Sequence, residues 1–141
     1  MNIFLDANII IDVLVEREEF VEDSAKVLEL AEEGKVIAFI PPLSLANAFY
    51  VLQSIYKLDK VSITDSLKVM MKFIKVTDMT EANVHAALNS DFKDFEDALQ
   101  NFSAENNADI SVIITRNEKD FTTSSLLIQS PKEFLETNNF N

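Results

Sequence analysis

The chain contains no cysteine and no tryptophan, and only one glycine, one histidine and three prolines in 141 residues. Without cysteine there is no disulfide, thiolate metal site or cysteine nucleophile, and the composition suits the reducing cytoplasm. With Gly34 as the sole glycine, a glycine-rich phosphate loop is excluded, because P-loops and dinucleotide-binding turns each need several. A lone histidine cannot build a histidine-rich metal site, and His85 lies in an Ala-rich helical stretch where packing or solvent exposure is its expected role. The serines suggest no hydrolase triad. Scarce glycine and proline leave most of the chain to regular elements joined by short polar turns. No run of 18 apolar residues occurs, and no basic stretch precedes the apolar residues after Met1, so neither a membrane span nor a signal peptide is expected.

What is present is apolar material and acid. Hydrophobic residues make up 48% of the chain and include 11 Phe, enough for one packed core and a single domain over residues 1–141. Twelve basic residues stand against 24 acidic ones, a formal charge of −12. Such a balance opposes long-range attraction to nucleic acid, so any action on it must rely on local positive groups and bound metal.

Short apolar strands are expected at residues 2–5, 36–40, 74–76, 110–114 and 126–128, the fourth being the clearest because four of its five residues are β-branched aliphatics. Helical spacing predicts helices after Asp6 or Asn8, over 24–33 with Gly34 as the stop, from Ser44, from Ser62 or Thr64 to Phe73, from Thr80 to Leu88, from about Asp94 to Phe102, and from Ser130. The order β-α-α-β-α-α-β-α-α-β-β-α predicts a largely parallel sheet flanked by helices. In the hairpin of residues 44–73, Tyr50, Tyr56, Met70, Met71 and Phe73 are expected mostly in the core, with some forming a two-fold dimer surface.

Three acids follow apolar elements: Asp6 after the first strand, Asp97 in the helix that opens Asp94-Phe95-Glu96, and Asp120 shortly after the strand ending at Ile114. In a parallel α/β sheet, ligands gather beyond the carboxyl ends of the strands, which would bring Asp6 and the 115–120 loop to one rim. Clustered carboxylates repel unless a cation lies between them, and an all-oxygen set selects Mg²⁺ or Mn²⁺. Against this stands the ordinary role of Asp as a surface charge or helix cap. Arg116 and Lys119, between the strand ending at Ile114 and Asp120, are candidates for phosphate binding, with a solvent-facing turn that pairs with local acids as the alternative.

Three stretches resemble the PIN-domain family, and within it the VapC-like toxins: Phe4-Leu5-Asp6-Ala7-Asn8-Ile9-Ile10-Ile11-Asp12, Asp94-Phe95-Glu96-Asp97-Ala98-Leu99-Gln100 and Ile114-Thr115-Arg116-Asn117-Glu118-Lys119-Asp120-Phe121. Ser130-Pro131-Lys132-Glu133-Phe134-Leu135 resembles the family's closing helix. The resemblance implies a three-layer α/β/α sandwich with a central, mostly parallel sheet. It also implies a Mg²⁺- or Mn²⁺-dependent endoribonuclease, the toxin of a type II toxin–antitoxin pair, acting on RNA as a homodimer and held by an antitoxin. Carried onto this chain, it makes Asp6, Asp97 and Asp120 the metal-binding acids. Asn8 would support Asp6, while Thr115 and Asn117 would line the pocket.

The family's second acid belongs early in the helix after Pro41-Pro42, where this chain has Asn47. An amide offers a neutral oxygen but no charge and no general base. Two alternatives therefore stay open: a PIN-like binding or regulatory module of weak or absent activity, and a Mg²⁺-dependent phosphatase or DNA nuclease using the same carboxylates.

Overall fold

The computed structural model describes residues 1–107 and 109–140. Five strands, β1 (Asn2–Leu5), β2 (Ile37–Ile40), β3 (Ile74–Val76), β4 (Ile110–Ile114) and β5 (Leu127–Gln129), form one sheet in the order β3-β2-β1-β4-β5. Every pairing is parallel. The helices are α1 (Ala7–Leu14), α2 (Val21–Glu32), α3 (Pro42–Ser54), α4 (Lys60–Met70), α5 (Glu81–Leu88), α6 (Phe95–Glu105) and α7 (Pro131–Thr137), with a 3₁₀ turn at Glu118–Phe121.

The alternation of side chains along β1 makes three layers. Ile3 and Leu5 pack with Val27, Leu28, Leu30, Phe134 and Leu135 on one face, whereas Phe4 packs with Ile113, Ala104 and Phe121 on the other. All three β1 residues are fully buried, as expected of a parallel strand covered on both sides. A third apolar group, around Ala7, Ile11, Ala48, Leu52 and Ile63, joins α1 to α3 and α4. The α/β/α sandwich expected from the sequence is therefore the fold. Among the described residues, no helix is long and apolar enough to cross a membrane.

Element order matches the sequence expectation, while several boundaries differ for identifiable reasons. Helix α3 starts two residues before Ser44, because Pro42 takes its first turn and Pro41 its extended N-cap position. Ser44 is buried instead of capping. Helix α4 is capped by Asp59, whose side chain accepts from the Ser62 amide, rather than by Ser62 or Thr64. Helix α2 begins at Val21 instead of Ser24, and β5 covers 127–129 rather than 126–128. Of the hairpin residues expected mostly in the core, Met70 is buried and Met71 and Phe73 pack against the core, whereas Tyr50 and Tyr56 are exposed.

The strand order decides where a site can form. From β1 the chain winds outward through β2 and β3, then returns to β4 on the other side of β1. Connections to the two neighbours of β1 leave in opposite directions, so a crevice opens beyond the carboxyl ends of β1 and β4. Leu5 pairs with Ile114 there, and the next residues are Asp6 and Thr115.

Candidate active site

Asp6 is the extended N-cap of α1, but its side chain makes no cap hydrogen bond. Its amide donates to the Ile114 carbonyl at 3.0 Å, which fastens the end of β1 to β4. Its carboxylate accepts from the Thr115 hydroxyl at 2.7 Å and from Asn8 Nδ2 at 3.3 Å, both at Oδ2. Thr115 is completely buried, and its Oγ1 also accepts from the Asn117 amide at 3.0 Å. Thr115 and Asn8 thus both hold the Asp6 carboxylate, while Asn117 contributes its backbone to the same arrangement.

Burial raises the Asp6 pKa above the ordinary carboxylate value. The Thr115 hydroxyl, the Ala7 amide and the nearby Arg116 pull it down, and Asp120 pushes it up. Asp97 is raised to about 7 by burial and by the charges of Asp94, Asp120, Asp6 and Glu96. These repulsions mean that Asp6, Asp97 and Asp120, 91 or more positions apart between the first and the other two, share one electrostatic neighbourhood.

Helix α6 brings Asp97 to this place. Asp94 caps the helix by accepting from the Asp97 amide at 3.0 Å, and the helix N-terminus favours the acids of its first turn. Asp120 sits in the 3₁₀ turn, which is anchored by the buried Phe121 against Phe92 at a ring separation of 6.2 Å. Asp97 borders two adjoining clefts. One, of about 330 Å³, is lined by Asp6, Asn8, Asn47, Tyr50, Glu96 and Gln100 among others. The other, of about 150 Å³, is lined by Asp94, Lys119, Asp120 and Thr123 among others.

Asn47 lines the larger cleft and its Nδ2 donates to Glu96 Oε1 across it, from α3 to α6. Glu96 is thereby presented to the same cleft as its neighbour Asp97. Tyr50 and Gln100 also line it; neither was expected at the site from the sequence, although both stand one turn beyond candidates, Tyr50 after Asn47 and Gln100 after Asp97.

The two basic candidates part company. Arg116 Nε and Nη2 donate to Asp12 at 2.7 and 3.0 Å, and its guanidinium lies 4.0 Å from the Phe20 ring centroid. Its planar fork is committed to a fully buried carboxylate, which corrects the phosphate-gripping role expected of it. Lys119 is exposed, makes no ion pair among the described residues and borders the cleft beside Asp120. Asp12, which also accepts from Arg17 Nη1 at 3.3 Å and from Ser24 Oγ at 3.4 Å, was not recognised from sequence as anything but part of a motif.

The donor set fits a hard divalent cation in its chemistry: carboxylate and amide oxygens surround the cleft, and their mutual repulsion is what a cation would remove. As arranged, no group of three or more His, Cys, Asp or Glu side chains among the described residues is close enough to hold a metal ion directly.

A family model for the PIN domain matches residues 2–119, and the chain belongs to the PIN domain family. Among individual proteins it is similar to ribonuclease VapC1 of Aquifex aeolicus (strain VF5), 25% identical over 139 residues that span 95% of this chain and 93% of that protein. Its fold is similar to a chain in the crystal structure of VapBC2 from Rickettsia felis bound to a DNA fragment from their promoter. That match has a TM-score of 0.64 and 19% identity, and covers 92% of this chain and 98% of the other.

Proposed function

We propose that this chain is a single-domain, Mg²⁺- or Mn²⁺-dependent endoribonuclease of the cytoplasm and the toxin half of a toxin–antitoxin pair. The observation that carries the reading is Asp97. An acid pushed up to about 7 by burial and by Asp94, Asp120, Asp6 and Glu96 marks a place where negative oxygens have been gathered at a stability cost. Family membership and the similarity to a ribonuclease of the VapC type support the same reading.

Asp6, Asp97 and Asp120 would hold the cation, with Asn47 offering a neutral oxygen. Bound there, a divalent ion supplies an activated water and stabilises charge on a phosphodiester. The chain's own residues do the rest. Thr115 and Asn8 fix the Asp6 carboxylate, the Asn117 amide fixes Thr115, and Lys119 binds a strand phosphate beside Asp120.

An apolar groove of about 380 Å³ between α1, α2 and α4, lined by Leu14, Leu28, Met70 and Phe73 and edged by Glu29 and Glu32, receives the helix of an antitoxin. The similarity to a chain of a VapBC complex supports an antitoxin as the partner. Exposed Tyr50 on α3, Ile55 at its C-cap and Val61 on α4 supply the apolar surface of a homodimer.

Cleavage of RNA in Mg²⁺ or Mn²⁺ tests the reading. Wild-type protein cuts, and Asp6→Asn and Asp97→Asn reduce cutting to background; an unchanged rate in Asp6→Asn overturns it. One observation favours the rival, a PIN-like binding or regulatory module: the Asn47 amide is engaged by Glu96 where a further carboxylate would strengthen cation binding. Failure of Mn²⁺ to bind, together with tight binding of a basic partner, would select that module.

A further inference from the structure

The smaller of the two clefts beside Asp97 takes its walls from segments far apart in sequence. One is residues 91–94, which lead into α6, and the other is residues 119–123, in and just after the 3₁₀ turn. Phe92 ties them together. Its ring meets Phe121 of the 3₁₀ turn edge-on at 6.2 Å and Phe102 of α6 edge-on at 6.1 Å. Phe121 is in turn buried with Phe4 and Ile113 of the sheet. Such ring contacts fix orientation as well as distance, so the two walls are braced against each other and against the core.

Each wall carries one lysine, Lys93 next to Phe92 and Lys119 two residues before Phe121. Among the described residues these are the only basic side chains lining either cleft beside Asp97. Both are exposed, and neither forms an ion pair with Asp91, Asp94, Asp97 or Asp120 of the same cleft, or with any other acid among the described residues. Two ammonium groups on opposite braced walls are thus left to a ligand. Thr122 and Thr123 add hydroxyl donors to the same lining.

A formal charge of −12 gives the chain no overall pull on a polyanion, so a strand must be held by local cations. An ammonium is a compact charge that suits a phosphate without demanding one geometry. Resting on the metal-dependent ribonuclease reading above, in which the acids of this cleft are offset by a cation, we infer that the smaller cleft holds the RNA phosphate adjoining the scissile one, between Lys93 and Lys119. Lys93 is a substrate-binding residue with no part in breaking the bond. By gripping the neighbouring phosphate it sets which bond lies over Asp6 and Asp97.

The probe is a short single-stranded RNA that the wild type cuts at one bond in Mn²⁺. In Lys93→Ala the KM rises about threefold to fivefold, the scale of one exposed charge contact, and the loss falls on KM rather than kcat. The dependence of log KM on log salt flattens by about 0.7. Lys93→Arg restores both, and thermal melts of the three proteins coincide because Lys93 is exposed and unpaired. A second RNA carries a neutral methylphosphonate at the linkage adjoining the cut, on a 2′-deoxynucleotide for stability, with the plain deoxynucleotide as control. It raises the KM of wild type by a similar factor and that of Lys93→Ala no further.

An unmoved KM in Lys93→Ala overturns the inference, and so do losses from the variant and the methylphosphonate that simply multiply, since Lys93 then acts elsewhere. Both results leave the ribonuclease reading standing. Wild-type protein that cuts no RNA overturns the two together.

Discussion

Arg116 lays its guanidinium along the carboxylate of Asp12, with Nε at 2.7 Å and Nη2 at 3.0 Å, across 104 positions of sequence. Asp12 is completely buried in α1, and Arg116 follows Thr115, the hydroxyl donor to Asp6. The pair ties the turn after β4 to the first helix and so holds the floor of the acidic crevice. Phe20 covers one face of the guanidinium, and Arg17 reaches Asp12 from the other side while also donating to the Tyr56 hydroxyl.

Removing one partner of a buried ion pair strands the other charge. Arg116→Met is expected to destabilise the fold by about 3 kcal/mol, softened by Arg17, which still reaches Asp12. Replacing both residues, as Asp12→Leu with Arg116→Met, costs less than the two single changes added together. Urea denaturation of the four proteins measures this; a loss near zero for Arg116→Met would show that the pair is not structural.

Asp97 makes stability depend on pH in a definite direction. Its folded pKa of about 7 lies above the ordinary value of 3.8, so its contribution to stability is fully present below pH 4 and is lost as pH rises through 7. Asp97→Asn therefore stabilises the metal-free protein at pH 8, on the order of 1 kcal/mol once screening of this half-exposed group is allowed for. The advantage disappears near pH 4. Thermal melts at the two pH values provide the measurement, and a variant less stable than wild type at pH 8 would contradict the repulsion.

Thr115→Val keeps the shape of a fully buried side chain but deletes its hydroxyl. Asp6 loses its 2.7 Å donor and the Asn117 amide loses its acceptor. The expected cost is about 1–3 kcal/mol, with the Asp6 pKa driven further upward, whereas Thr115→Ser restores most of the stability. Comparing the denaturation midpoints of the two variants decides the point.

Lys119→Ala is expected to weaken RNA binding and to flatten the dependence of log affinity on log salt by about 0.7 for a single-stranded substrate, the signature of one lost phosphate contact. Folding stability should barely change, because Lys119 is exposed and makes no ion pair among the described residues. An unaltered salt slope would remove Lys119 from the phosphate path.

The elements most readily seen in the sequence were those whose signal is local. Ile110–Ile114 is a β-branched run, and Thr80 and Ser130 both form the capping boxes their surroundings suggest. Asp6, Asn8, Thr115 and Asp97 were legible because each sits at the end or beginning of such an element. Arg116 stayed open between phosphate binding and pairing with an acid, since a basic residue beside an acidic pocket reads either way until its partner at position 12 is known. Gln100 escaped notice for a related reason. A glutamine on a helix carries no pattern of its own, and its place in the cleft lining exists only in three dimensions.

The order β3-β2-β1-β4-β5 also constrains when the protein can begin to act during its synthesis. On the ribosome, β1 and Asp6 emerge first, yet the strand and hydroxyl that complete their surroundings lie beyond residue 109. A nascent or prematurely terminated chain lacking that last portion can form helices and part of the sheet but has no assembled crevice. This topology postpones assembly of the crevice until residues 110–115 have been synthesised.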